Sequence, residues 1–251
     1  MKWNWLAASL SIGLAMVAPF PSGAQTAPDN GTDPTRLRRT IWTSYEHLDL
    51  GFDASRGTLK LMYEAPVSAK TALRLTLPGV SFDAPGGNQH LDFGDVSLRA
   101  THLLSVNPER GIVLQGEVYA DTAAHAGSGY GSAVLKGTVI YAKFLQGGRI
   151  FAPALSHVQS INGDNQVRET TIDFYYVPKL PDPNWYMTVD PAIVSDWEQD
   201  RTYANIAVTT GRTVGKIGGG AAQIYLKPAI FIGTDRPADW SLETGLRVIG
   251  F

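Results

Sequence analysis

From about residue 40 onward the chain alternates apolar and polar side chains, and no other feature restricts its fold as much. Leu59, Leu61, Tyr63, Ala65 and Val67 interleave with Thr58, Lys60, Met62, Glu64 and Ser68. Leu73, Leu75 and Leu77 interleave with Arg74 and Thr76, and Leu98, Ala100, His102 and Leu104 with Ser97, Arg99, Thr101 and Ser105. The habit returns over 112–120, 133–141, 172–176, 222–226 and 240–248. A period of two sends successive side chains to opposite faces of a strand, and helical periodicity competes nowhere. Two weaker stretches stand out. Residues 40–52 mix Glu46 with Leu48 on one parity, giving a weak first strand, and 203–217 slip phase near 209–212, which suggests a bulge. About twelve strands result, and they can close either as a soluble sandwich or as a membrane barrel.

Several signals favour the barrel. In the last stretch, Trp240, Leu242, Thr244, Leu246 and Val248 share one parity, Ser241, Glu243, Gly245 and Arg247 the other, and Phe251 follows. A final strand ending in an aromatic residue is what an outer-membrane barrel shows to its insertion machinery, and closure is required because lipid tolerates no open sheet edge. Connections alternate in length. Polar or long ones fall at 53–57, 81–92, 122–131, 162–166, 198–202 and 234–239, and tight ones at 69–70, 107–111, 146–148, 181–184 and 217–220. Short periplasmic turns facing longer external loops are the rule in such barrels. Trp185 and Trp197 share a parity twelve residues apart. A tilted strand projects that spacing to about 30 Å, placing both indoles at the edges of an apolar band about 25 Å tall.

Met1–Ala24 reads as a secretory signal: Lys2, an uncharged run over 6–18, then Ser22-Gly23-Ala24 at the cleavage positions. That apolar run is short of the roughly 20 residues a spanning helix needs. Residues 25–39 then read as a flexible periplasmic N-terminus and 40–251 as the barrel. The net charge of −2 gives no support to nucleic-acid binding, and with no cysteine in the chain disulfides and thiolate metal sites are excluded.

The segments LPDPNWYMTVDPAIVSDWEQD, YLKPAIFIGTDRPADW and SLETGLRVIGF resemble outer-membrane barrel proteins grouped as transporters of the meta-pathway of phenol degradation. FGDVSLRA and GSGYGSAVLKG resemble the same group more loosely. The resemblance implies a barrel with a transport-like role and carries over no catalytic or binding residue. The chain departs from the usual terminal signal, which repeats apolar residues at every second position back from the final Phe. Ile249 fits it, whereas Arg247, Gly245 and Glu243 do not.

In a barrel the polar parity faces the lumen, since a charge on the lipid face near the midplane costs about 2–4 kcal/mol. The lumen candidates are Lys60, Glu64, Arg74, Arg99, Glu117, Lys136, Glu169, Asp173, Lys179, Asp190, Asp196, Lys227, Glu243 and Arg247. They form either a ladder of ion pairs in a narrow wet interior or a lining that selects what passes. Trp185, Trp197, Trp240 and Phe251 are the interface anchors. Lys143 and His102 fall on the lipid parity, Lys143 near a strand end from which it can snorkel. The His47/Asp49 and His90/Asp92 pairs are too few for a metal site, and His125 and His157 lack such a pairing. Ser156–Gly163 faintly resembles an outer-membrane phospholipase signature. However, His157 and Ser160 are three apart, which puts them on opposite faces of a strand.

The sequence therefore predicts an all-β transmembrane antiparallel up-and-down barrel in the outer membrane of a Gram-negative envelope. It would be a passive channel or transporter for a small molecule of unknown identity, hydrophobic compounds among the candidates, not an enzyme, with no cofactor implied. The alternatives are a structural envelope barrel and an outer-membrane lipid hydrolase. Its expected partners are outer-membrane lipids, the insertion machinery and periplasmic chaperones.

Overall fold

The computed structural model describes residues 30–83, 91–123, 125, 127–163 and 165–251, so the signal segment 1–24 lies outside the described residues. Its strands are β1 (Thr40–Gly51), β2 (Ala54–Pro66), β3 (Thr71–Asp83), β4 (Leu91–Phe93), β5 (Ser97–Val106), β6 (Arg110–Tyr119) and β7 (Ser132–Leu145). They continue as β8 (Arg149–Gly163), β9 (Arg168–Val177), β10 (Trp185–Asp196), β11 (Arg201–Ile217), β12 (Gly220–Ile232) and β13 (Trp240–Ile249). Every pairing is antiparallel, and β13 returns to β1 with Thr40 opposite Ile249 and Asp49 opposite Trp240, which closes the sheet. Strands β4 and β5 lie along the same edge of β3, at Gly79–Ser81 and Thr71–Thr76. They form one stave broken at residues 94–96, so the barrel has twelve staves.

The alternation becomes the two surfaces of the cylinder. Leu59, Leu61, Leu73, Leu75, Leu98, Val118, Leu135, Val139, Leu155, Ile224, Leu226 and Leu246 are exposed on the outside, while Met62, Ala72, Val113 and Glu117, of opposite parity, are buried within. Large exposed aliphatic residues around a whole circumference suit hydrocarbon as the surrounding solvent. The weak first strand is full length, because its mixed parity is resolved by pairing on both edges: Ser44, Glu46 and Leu48 share the inner face.

Three local expectations are corrected. The 53–57 connection is a two-residue turn at Phe52 and Asp53, both with positive φ (53° and 61°) as a tight hairpin turn of right-handed twist demands. The connection at 178–184 is longer than its partners at that end, so the length segregation is weaker than the text suggests. The β11 irregularity falls between Thr213 and Gly215, a few residues past the expected slip.

The largest difference is at the N-terminus. The described part of the 25–39 segment, residues 30–39, is not a free tail. Thr32 and Thr35 are buried, Arg247 donates to the Asn30 carbonyl at 2.9 Å, and the Tyr175 hydroxyl donates to the Thr32 carbonyl at 3.0 Å. Farther along, the methyl of Thr35 lies over Gly111 of β6. The segment thus touches β13, β9 and β6 before joining β1, which carries it across the bore at the end where the termini lie.

Candidate functional site: the barrel interior

On one half of the wall the charges are paired across neighbouring strands. Lys60 reaches Glu46 at 3.5 Å and Glu243 at 4.0 Å, bridging β13, β1 and β2, and Tyr225 donates to Glu243. Glu64 and Arg74 are opposite in register and bond at 2.9 Å, and the same guanidinium stands 4.5 Å over the Trp42 ring. Arg99 and Glu117 are likewise opposite and bonded, with the Ser97 hydroxyl donating to Glu117 at 2.7 Å. Glu117 is only 4% exposed, so its charge depends on these donors. Arg247 donates to Gln223 at 2.7 Å and lies 4.5 Å over the Tyr186 ring.

The other half is less fully paired. Asp196 meets Arg201 at 3.3 Å, and Thr171 donates to Glu169 at 3.4 Å. Asp173 and Asp190 stand on adjacent strands, and each keeps a buried oxygen without a hydrogen-bond partner among the described residues. Lys136 and Lys227 have no carboxylate within 4.0 Å among the described residues. Lys179 lies beyond the end of β9, exposed at the rim instead of on a strand.

Not all of the inner wall is polar. Ala142, Ile150, Ala152 and Val177 form a buried apolar cluster, with Ile140, Phe144 and Tyr175 packed against it. Pro34 of the N-terminal segment, Ile140, Ala152, Lys136 and Asp173 line a cavity of about 230 Å³. A larger one, about 610 Å³, opens on the other side of the segment and is lined by Asn30, Thr32, Arg36, Phe144, Lys179 and Tyr186. The segment separates these two spaces. Sequence reasoning missed its position; the residues show only its local shape, since Asn30-Gly31-Thr32 and Asp33-Pro34-Thr35 are two successive Asx-turn triplets. Asn30 Oδ1 accepts from the Thr32 amide and hydroxyl at 3.2 and 2.7 Å, and Asp33 Oδ1 from those of Thr35 at 2.9 and 2.7 Å.

At the opposite end a second inward device joins two stretches of the sequence. Asp95, buried in the break between β4 and β5, accepts from the amides of Thr122, Ala123 and Tyr130 at 3.0, 2.9 and 2.6 Å. It thereby draws the β6–β7 connection against the wall. A Cβ on Gly129 would lie 2.3 Å from the Asp95 carboxylate and one on Gly94 2.9 Å from the Ser128 carbonyl, so both positions need glycine. Tyr130 meets Tyr119 edge-on at 5.2 Å, and burial pushes its phenol up to about 12.

Outside, Trp185, Trp197, Trp240 and Phe251 are all exposed; Trp185 stacks with Arg212, and Trp197 donates to Thr170 at 2.9 Å. Trp240 packs on His47 at 5.3 Å, and His102 bonds Thr71 at 3.0 Å. His125 approaches Asp92 at 3.3 Å, while His90 lies outside the described residues. His157 faces outward onto Thr170 at 2.9 Å, whereas Ser160 points inward and bonds Gln166 at 3.3 Å, so the two form no catalytic pair.

No protein-family model and no curated protein matches the chain. Solved structures do. An outer membrane channel from Pseudomonas putida F1 superposes with a TM-score of 0.66 at 12% identity, over 90% of this chain and 100% of that one. The KdgM porin in complex with disordered oligogalacturonate gives 0.60 at 8% identity, over 83% and 98%. The NanC porin gives 0.56 at 8% identity, over 85% and 98%. The fold is that of outer-membrane channels and porins.

Proposed function

We propose that the protein is an outer-membrane channel for a small solute, with both termini in the periplasm. The observation that carries this reading is a closed bore lined by charged and hydroxylated side chains inside a cylinder whose outer surface is aliphatic. Water and a polar solute can occupy such a bore, and lipid can occupy only its outside. The apolar cluster on β7, β8 and β9 favours a solute with an apolar part. The resemblance of 180–251 to barrels grouped with phenol meta-pathway transport supports the same class. The lumen candidates act as the lining, with Asp173, Asp190, Lys136 and Lys227 the charges least compensated by protein and so the ones available to a passing ion. The test is single-channel recording after insertion into a planar bilayer. Discrete conductance steps are expected, and a bilayer that stays sealed with folded protein inserted would end this reading.

A structural envelope barrel is the second reading. It is favoured by the ion-pair ladder and the crossing segment, which together fill much of the bore. It predicts no conductance and no solute uptake into proteoliposomes, with loss of the protein altering only envelope integrity.

A further inference from the structure

The strand register sets three cations side by side on the outer face of the barrel, at the end where the termini lie. Arg110 on β6 is directly opposite Lys143 on β7. Lys143 is in turn opposite Phe151 on β8, and Arg149 stands one outward position beyond Phe151. All three cations are exposed, on the same parity as Tyr141 and Phe151, which face outward just inside them. Like charges directly opposite in an antiparallel pair repel. Even so, among the described residues none of the three has a carboxylate within 4.0 Å, and their one side-chain hydrogen bond runs from Arg149 Nε to the Gln146 carbonyl, at 3.0 Å. Glu109, next in sequence, forms no ion pair with them. Farther round the same rim, Arg212 stacks on Trp185 with its guanidinium 5.5 Å from the ring centroid. At the opposite rim two exposed cations are paired, Arg236 with Asp239 at 2.6 Å and Arg168 with Glu198 at 3.3 Å.

A repelling cluster of cations at the edge of a lipid-facing band, flanked by aromatic side chains, lacks an anion held at the depth of the headgroups. We infer that Arg110, Lys143 and Arg149 bind the phosphate of an anionic phospholipid in the periplasmic leaflet, its chains lying on Tyr141 and Phe151. Arg110 and Lys143 clamp the phosphate from two strands, and Arg149 reaches it from the third. The inference rests on the membrane orientation proposed above but not on conduction.

The full mature protein, in micelles doped with equal phosphatidylglycerol and phosphatidylcholine, is examined by native mass spectrometry. Preferential retention of phosphatidylglycerol is expected, falling roughly tenfold or more in R110Q/K143Q, since each basic residue near an anionic surface contributes about 1 kcal/mol. R110K/K143R, which keeps both charges, should retain most of the preference, and heat-modified gel mobility verifies that each variant is folded. Equal retention of the two lipids, or a preference unchanged in folded R110Q/K143Q, overturns the inference. So does displacement of phosphatidylglycerol by lipid A at these residues when lipid A is added to the same micelles, which would place this rim in the outer leaflet. Because the readout is lipid retention, its failure leaves the conductance test standing, and a silent bilayer leaves this site standing.

Discussion

Removing residues 30–38 should open the bore, and the size of the effect follows from barrel geometry. Twelve strands spaced about 4.8 Å apart and tilted about 40° close into a backbone cylinder roughly 24 Å across. A chain crossing near the axis lies about 12 Å from either wall. That is close to the roughly 10 Å at which packed sheets interdigitate, so side chains from both sides meet it and little continuous water path remains. Thr32 and Thr35 are buried for this reason, and Pro34 forms part of a cavity wall. Two hydrogen bonds reach the segment from distant strands, Arg247 to Asn30 and Tyr175 to Thr32. At about 1 kcal/mol each, their loss costs on the order of 2 kcal/mol, which a barrel closed by ten register pairs between β1 and β13 tolerates. The variant should therefore fold, verified by heat-modified gel mobility, and show single-channel conductance several-fold above that of the intact protein. A milder variant, N30A/D33A, removes both Asx turns and should produce flickering between the two levels. If the deletion folds and its conductance equals that of the intact protein, the segment does not occlude the bore, and the spatial reasoning fails.

Four further outcomes are expected. Asp190→Asn should shift the reversal potential in a salt gradient toward anions, because Asp190 belongs to the less fully paired half of the wall; an unchanged potential in a conducting channel removes it from the ion path. Arg99→Met should lower stability by about 3 kcal/mol in urea unfolding, since it leaves the buried Glu117 without its cation, and the double variant with Glu117→Gln should recover much of the loss. Gly211→Val should cost roughly 1–3 kcal/mol or prevent folding, because a Cβ there would lie 2.2 Å from the buried Tyr186 ring. Leu75→Arg, outward near the middle of β3, should reduce folding into lipid vesicles by about 2–4 kcal/mol, whereas Thr76→Arg, facing the interior, should not.

What could be read in advance was whatever depends on neighbours two residues apart. Leu73, Leu75 and Leu77 face outward and Arg74 inward because the pleat alternates, and no tertiary fact is needed to see it. The cross-strand charge pairs were legible only as a set. Glu64 and Arg74 meet because the turn at 67–70 sets that register, and Arg99 meets Glu117 only because a one-residue register shift between Leu103 and Ser105 follows the turn at 107–109. Loop lengths were less legible, since the turn at Phe52 and Asp53 rests on positive φ in two residues that are not glycine. Lys179 shows the limit of parity: its spacing from Asp173 is right, but the strand has already ended at Val177.

By itself the sequence determined that this chain forms strands with one aliphatic and one polar face, and with that a closed cylinder, because lipid accepts no unpaired edge. Tertiary structure alone decided what fills the cylinder. Residues 30–39 are polar and rich in turn residues, as a free tail would be, and nothing within the segment reveals that it enters the bore. Only closure, which brings Arg247, Tyr175 and Gly111 from three distant strands to within reach of one short segment, supplies the contacts that hold it there.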